Sequence, residues 1–505
     1  MPESPELQSQ DDSERSLLRG FARSVRDNAL GEAAVQLIRV GGIIYLARRL
    51  EPSDFGLYRM LIVISSLATL TIEAGIPEAL IQRKQLGAAH EATGWWLSCS
   101  IGLALAALLY KFAPLVAELL AMPHLGGQLR LLCLPLLVLS AATTASARLR
   151  RGFNFGAIAL ADTLAEMCFL ASALIVLHVY HAPRWSLAAG LAVRFAVQGL
   201  IVLLASPYLP RRLPSMQAAR DLFRFALSVW AGRVLVTLSF NADFIVIGRI
   251  LGSTMLGYYG IAWDLLRFIP DRLFKVIGRV TLPLFSQLQD DDEALRRRYL
   301  GLVRETARIL LPTLTGLAVA APEVVLAVYG VQWNPAAPPL RALTFGITLI
   351  GITIGIGPIY YAKGRPVLDL YLHSGRLALI LLVVSVTAPH GLLPASIGMS
   401  VVEGTIVIVG QLMVNRTITL AMSEFIRSLR PGMRNLIIAA IATELGRLAA
   451  AATGLHGPAA LAVIIVPPAV TMLWLEAATL LAMAKGSLGA GGAVLSEVQS
   501  EGGAG

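Results

Sequence analysis

The chain has 505 residues, with 42 Lys and Arg against 32 Asp and Glu, a formal net charge of +10, 56% hydrophobic residues and only 15% charged ones. A soluble domain averages about 45–50% apolar and about 25% charged residues, so the composition excludes an ordinary soluble enzyme. It also removes nucleic acid as a partner, because the basic residues gather between apolar runs rather than along one exposed face. Cys99, Cys133 and Cys168 all lie within apolar runs, at spacings that fit neither a zinc site nor a disulfide framework.

Residues 1–28 are polar and charged and read as a cytoplasmic N-terminal tail without a cleavable leader, so the first apolar run serves as its own insertion signal. A helix needs about 20 mostly apolar residues to cross a bilayer. Fourteen runs meet this, which predicts an all-α polytopic membrane protein with about 14 transmembrane helices. The first six are 29–50, 56–77, 94–118, 128–147, 156–180 and 186–207. The next six are 222–250, 257–284, 300–328, 340–362, 367–388 and 392–415, and two more follow at 433–453 and 458–483. The run 257–284 is the most polar, with Asp264, Arg267, Asp271, Arg272, Lys275 and Arg279. Residues 486–505 are rich in Gly, Ala and Ser and read as a loose tail.

Lysine and arginine alternate from loop to loop. Arg15, Arg19, Arg23 and Arg26, Arg83 and Lys84, Arg148, Arg150 and Arg151, Arg296 to Arg298, and Lys363 and Arg365 all fall on one side. The opposite loops and their edges hold few basic residues, so the rule that positive loops stay inside places both termini in the cytoplasm.

Two stretches of the chain resemble each other. Arg48, Leu50, Gly56 and Tyr58 recur as Arg249, Leu251, Gly257 and Tyr259, at a constant spacing of 201 residues. Ala113-Pro114 recurs as Ala321-Pro322, Leu129-Arg130 as Leu340-Arg341, and Gly152 as Gly364. The matches keep their order and fall at corresponding helix ends. They predict two six-helix lobes related by a parallel internal repeat, an N-lobe at 29–215 and a C-lobe at 216–420, followed by two extra C-terminal spans at 421–485. Parallel repeats of this kind place a cavity between the lobes.

The segment from Leu46 to Tyr58, the segment from Glu73 to Arg83, the stretch from Asn241 to Tyr259 and the stretch from Thr281 to Gln289 resemble Wzx-type polysaccharide flippases of the multidrug/oligosaccharidyl-lipid/polysaccharide exporter superfamily. The resemblance covers roughly residues 20–420. It implies translocation of an undecaprenyl-diphosphate-linked oligosaccharide, a repeat unit of O-antigen, capsule or exopolysaccharide, by alternating access through a cationic cavity in a bacterial inner membrane. It also implies as partners the lipid bilayer and the polymerase and co-polymerase of the same pathway. Lipid II flippases, a neighbouring branch, likewise carry arginines in spans one and eight.

An ionisable group inside a span costs about 2.5–3.5 kcal/mol on insertion scales, so those retained face an interior or a wet cavity. Arginine stays protonated and its planar fork holds phosphate oxygens in pairs. Arg39, Arg233 and Arg267 are therefore the expected contacts for the diphosphate, with Gln36, Asn241, Asp243 and Asp264 beside them in the cavity. Glu32, Asp162, Glu166 and Glu403 are candidates for ion coupling. No phosphate-binding GxxxxGK[ST] loop, HExxH or CxxC motif occurs, and the outer loops are short. The chain is thus read as carrying no catalytic residue, metal or cofactor, and as no enzyme. The alternatives are a drug or metabolite antiporter and, behind it, a membrane glycosyltransferase or polymerase.

Overall fold

The computed structural model describes residues 38–84, 86–455, 459–464 and 466, without the side chains of Val276 and Arg279. Glu32, Gln36, the N-terminal tail, most of the last expected span and the C-terminal tail lie outside the described residues. Within them the chain is helical and contains no strand. In order come α1 (Ile38–Ala47), α2 (Pro52–Glu73), α3 (Ile76–Gln82), α4 (Ala88–Leu119), α5 (Leu125–Arg151), α6 (Phe155–His178) and α7 (Pro183–Ala205). Next come α8 (Met216–Gln287), α9 (Asp292–Val319), α10 (Ala321–Tyr329), α11 (Ala337–Ile352) and α12 (Ile356–Ala362). Last are α13 (Val367–Leu379), the single turn α14 (Ser385–Thr387), α15 (Leu392–Thr417) and α16 (Met422–Ala452).

Ten of these helical stretches are long and apolar enough to cross a membrane, or eleven if α9 and α10 count as one bent span. Expected spans two to six coincide with α2, α4, α5, α6 and α7, and spans eleven to thirteen with α13–α14, α15 and α16. Large apolar side chains such as Leu103, Leu134, Ile175 and Leu204 point outward from them, as a bilayer-facing surface requires.

Expected spans seven and eight are the two arms of α8, two helices that meet at a kink at Gly252, whose φ of 82° and ψ of 178° are open to glycine and strained for other residues. Expected span nine is bent: α9 and α10 meet at 77° around Ala320. Pro322 has no N–H and disfavours a helical conformation at the residue before it, which ends α9 there.

The described residues fall into two compact units. The first comprises residues up to Asp264 together with Tyr329–Pro339 and Pro366–Ile406. Here α4 packs on α5, α5 on α7, and α6 on α7. Trp333 is fully buried and donates from its indole Nε1 to the Ala47 carbonyl at 2.7 Å. Gln332 donates to the Ala47 and Leu50 carbonyls at 2.7 and 3.1 Å, so side chains satisfy the carbonyls at the buried C-terminal end of α1. The second unit comprises Leu265–Val328, Leu340–Arg365 and the described residues from Val407 onward. Its centre is α9 against α16, with Ala307, Leu310, Leu311 and Ile352 packed around Ile269, Leu429 and Leu436.

Several of the recurring residues do the same local job twice. A Cβ on Gly56 would stand 1.8 Å from the Ser253 carbonyl oxygen, and one on Gly257 would stand 1.9 Å from the Pro52 carbonyl oxygen. Ser253 follows Pro52 by the same 201 residues. The start of α2 and the arm of α8 beyond Gly252 therefore cross backbone to backbone through a reciprocal pair of glycines. Farther on, Pro114 leaves the Tyr110 carbonyl without its helical donor, and Arg130 Nε supplies one at 3.2 Å. In the second unit Pro322 does the same to Ala318, and Arg341 Nε supplies the bond at 3.0 Å.

Overpacking a tight contact costs about 1–3 kcal/mol, and a crossing this close belongs at the upper end. Gly56→Ala and Gly257→Ala are each expected to lower stability in detergent by about 3 kcal/mol. Gly301→Ala, whose added carbon meets nothing within 4 Å, should leave the melting temperature unchanged or slightly raised. Equal melting temperatures for Gly56→Ala and the unaltered protein would contradict the crossing.

Candidate functional site

In the first unit, α1, α6 and α7 bring three charged groups together. Arg39 Nε lies 3.2 Å from one oxygen of Glu166, and Arg194 Nε lies 3.3 Å from the other. Glu166 is buried, with 7% of its side chain exposed, whereas Arg39 and Arg194 keep 40% and 31%. One sealed carboxylate thus holds two open guanidiniums, and the cluster carries a surplus positive charge. One turn away, Asp162 accepts from Gln198 at 2.7 Å, so α6 and α7 are joined by two polar rungs. Tyr58 lies buried in the field of the same three groups, its ring 5.8 Å from that of Phe169.

A second cluster is sealed. Arg376 Nε on α13 donates to both oxygens of Glu403 on α15 at 3.1 Å, and its Nη2 adds a further bond to the same carboxylate. Asp243 on α8 accepts from the Tyr259 hydroxyl at 2.7 Å. Asp243, Glu403 and Arg376 are 0%, 2% and 3% exposed. The Arg376 guanidinium also stacks 4.6 Å from the Phe240 ring centre. His373, one turn before Arg376, shares a 3.0 Å hydrogen bond with Ser239 and stands 3.8 Å from Asp369. Two carboxylates against one guanidinium leave this cluster one charge short of neutral when both acids are ionised.

Arg59 joins the region between them. It pairs with Asp264, donates to the Gly260 carbonyl at 3.3 Å and lies 4.8 Å from the Phe244 ring centre. Phe244 in turn meets Tyr259 edge to face at 5.3 Å.

The other expected site residues fall elsewhere. Arg233 is held by Glu73 at 3.1 Å and Glu78 at 2.6 Å, so its charge is more than cancelled. Asn241 spends its amide on the Thr237 carbonyl of its own helix at 2.8 Å. Arg267, in the second unit, bonds Asp271 one turn on at 2.7 Å and faces Phe274. That unit also contains a cavity of about 580 Å³ among α9, α11 and α16, lined in part by Leu311, Arg341, Thr348, Leu436 and Arg447. Arg447 there is paired with Glu323 at 2.8 Å and Glu444 at 2.9 Å, which leaves it no surplus charge. Among the described residues no group of three or more His, Cys, Asp or Glu is placed to hold a metal ion.

Arg194 and Arg376 are not among the residues singled out from the sequence. The signal was present for both: each is the one arginine of its expected span.

The family described as "Polysaccharide biosynthesis protein" matches residues 45–338. The lipopolysaccharide biosynthesis protein WzxC of Escherichia coli (strain K12) is 27% identical over 326 residues, 63% of this chain and 65% of that protein. The succinoglycan biosynthesis transport protein ExoT of Rhizobium meliloti (strain 1021) is 29% identical over 323 residues, 62% of this chain and 64% of that protein. The chain thus spans just under two thirds of the length of these curated relatives. Among solved structures, the lipid II flippase MurJ in an inward closed conformation aligns with a TM-score of 0.72 at 13% identity, over 90% of this chain and 99% of that one. An inward-facing multidrug resistance MATE family transporter of the MOP superfamily aligns with a TM-score of 0.63 at 15% identity, over 76% and 94%. These two share the fold of this chain.

If Glu166 is what holds two like charges together, Glu166→Gln should destabilise the protein by about 1–2 kcal/mol, less than for a sealed pair because both arginines reach solvent. Removing Arg194 as well, in Glu166→Gln/Arg194→Gln, should restore part of the loss. Additive effects in that double-mutant cycle would show that the three groups do not act together.

Proposed function

The chain belongs to the polysaccharide biosynthesis protein family, and from that membership we propose that it is a flippase for an undecaprenyl-diphosphate-linked oligosaccharide. The cargo is a repeat unit of O-antigen, capsule or exopolysaccharide, moved from the cytoplasmic to the outer leaflet of a bacterial inner membrane by alternating access of two six-helix lobes. Both termini are then cytoplasmic, fourteen spans are crossed, and the polymerase and co-polymerase of the pathway take over the product. The chain itself performs no covalent chemistry in this reading.

The observation that carries the reading is the open cluster on α1, α6 and α7. A diphosphate leaving water needs fixed positive charge along its way, and Arg39 and Arg194 offer two forks whose Nε atoms are tied to Glu166. Their exposed faces remain available to phosphate oxygens. Arg267, 20% exposed, is a second contact once its bond to Asp271 is exchanged. Asp264 holds Arg59 and Glu166 holds the two arginines, so these acids orient the bases rather than meet the cargo. A net positive cluster also disfavours the alternative of a cationic drug as cargo, although the MATE fold is shared.

Arg39→Gln and Arg194→Gln are each expected to abolish surface polysaccharide at an unchanged protein level, with lipid-linked oligosaccharide accumulating on the inner leaflet. Arg39→Lys keeps the charge but loses the planar fork, and should retain part of the activity. Normal surface polysaccharide in both glutamine variants would overturn the reading.

A further inference from the structure

The cavity of about 580 Å³ in the second unit is used by no step of the proposed transport. Its lining is graded by depth. On α11 the wall runs from Arg341 through Phe345 to Thr348, on α16 from Arg447 and Glu444 to Leu436, and on α9 from Val319 to Leu311. Hydrogen bonds tie the three outer ends to one level: Arg341 bonds the Ala318 and Val319 carbonyls, and Arg447 bonds Glu323, just past the bend at Ala320. At a rise of 1.5 Å per residue the inner ends stand about 10–16 Å deeper. The cavity is thus a slot with a charged rim and an apolar floor. Thr344 and Thr348 spend their hydroxyls on carbonyls of their own helix, at 2.9 and 2.6 Å, so they add no free donor to the floor.

The rim is divided in charge. Arg341 donates from Nε to Ala318 at 3.0 Å and from Nη2 to Val319 at 3.2 Å. It meets no carboxylate among the described residues, and its Nη1 keeps both N–H groups unspent. On α16, Glu444 is 49% exposed and gives one oxygen to Arg447 at 2.9 Å, while Glu323 holds the same arginine at 2.8 Å. One side of the rim therefore carries an uncancelled positive charge and the other two acids on one base. The mouth faces lipid: Phe345 in the wall, and Ile437, Ile441 and Leu448 beside the lining residues of α16, are exposed apolar side chains.

We propose that this slot binds a phospholipid whose headgroup joins a phosphate to an ammonium group, that is, an ethanolamine-headed lipid. The phosphate takes the spare N–H groups of Arg341, as guanidinium and phosphate pair in general. The ammonium takes Glu444, whose second oxygen has no bond. The upper part of one acyl chain follows the wall down to Leu311 and Leu436, and the rest stays in the bilayer. Basic pockets between membrane helices bind lipid headgroups, and the volume lies within the range of about 300–1,000 Å³ of small-molecule sites. A glycerol-headed lipid satisfies Arg341 but brings nothing to the acidic side. The described part of the last expected span is not the occupant: Val463 and Ile464 meet Gly446, which stands about 100° around α16 from Arg447. With both termini in the cytoplasm the rim lies at the outer leaflet. Bound there, the lipid bridges α9, α11 and α16 and holds Arg341 on the carbonyls freed at the bend of α9 and α10.

The test reads lipid binding and does not depend on what the protein transports. The purified full chain in detergent is titrated with dioleoylphosphatidylethanolamine and, separately, with dioleoylphosphatidylglycerol, and bound lipid is counted by native mass spectrometry. The unaltered protein should hold one ethanolamine lipid more tightly than any glycerol lipid. Glu444→Gln should keep lipid but lose the preference between headgroups. Thr348→Phe, which fills the floor and leaves the rim intact, should lose the tight site for both. Arg341→Gln should lose it too; because Arg341 also serves the bend, Thr348→Phe and Glu444→Gln decide the matter if that variant fails to accumulate. Equal binding of the two headgroups by the unaltered protein, or undiminished binding in Thr348→Phe, would overturn the proposal. The occupant in cells is read from Phe345→benzoylphenylalanine, irradiated in the membrane. A cross-link with the mass of an ethanolamine phospholipid supports the site. A cross-link to residues of the chain beyond 466, or to a second protein, refutes it.

Discussion

The contact on which the rest of the first unit depends is the crossing of α2 with the far arm of α8 through Gly56 and Gly257. Inside a bilayer the lipid tails are as apolar as any leucine, so burial of apolar surface does not drive helices together. Close backbone approach does, and it needs residues without a side chain at the point of contact. Each glycine here faces a backbone carbonyl that a methyl group would strike. Because the approach is reciprocal, it fixes the register of the two helices as well as their distance. Arg59 then reaches the Gly260 carbonyl, its own counterpart at 201 residues. The same crossing sets Tyr58 at one charged cluster and Tyr259 at the other.

The second demand of the bilayer is that every backbone polar group finds a partner. Proline breaks that rule by removing one donor and stranding the carbonyl four residues earlier. The answer is the same in both halves of the chain: Arg130 for the carbonyl stranded by Pro114, Arg341 for the one stranded by Pro322. The outcome differs. α4 continues past Pro114, while α9 ends and the chain turns by 77° at Ala320. In the second half Arg341 bonds the Val319 carbonyl as well, at 3.2 Å, which accommodates a fuller opening of the helix end.

This explains what could be read from the sequence. Span positions were legible because apolar length is a one-dimensional property of the chain, and spans two to six match helices to within a few residues. The recurring glycines and proline–arginine pairs were legible because each has a geometric task that few other residues can do. Pairing was not legible. A sequence gives the depth of a charge in a span but not its direction around the helix, and Arg233 and Arg39 look alike on that basis. One is locked between Glu73 and Glu78, residues 155 or more positions away, and the other shares Glu166 with an arginine on a third helix. Arg376 escaped notice because its partner lies 27 residues on, across a turn.

Exposure and charge together give the two clusters different chemistry, although they occupy corresponding places. A cluster whose two guanidiniums are 40% and 31% exposed leaves room for a bulky anion, whereas a cluster sealed to 3% or less leaves none.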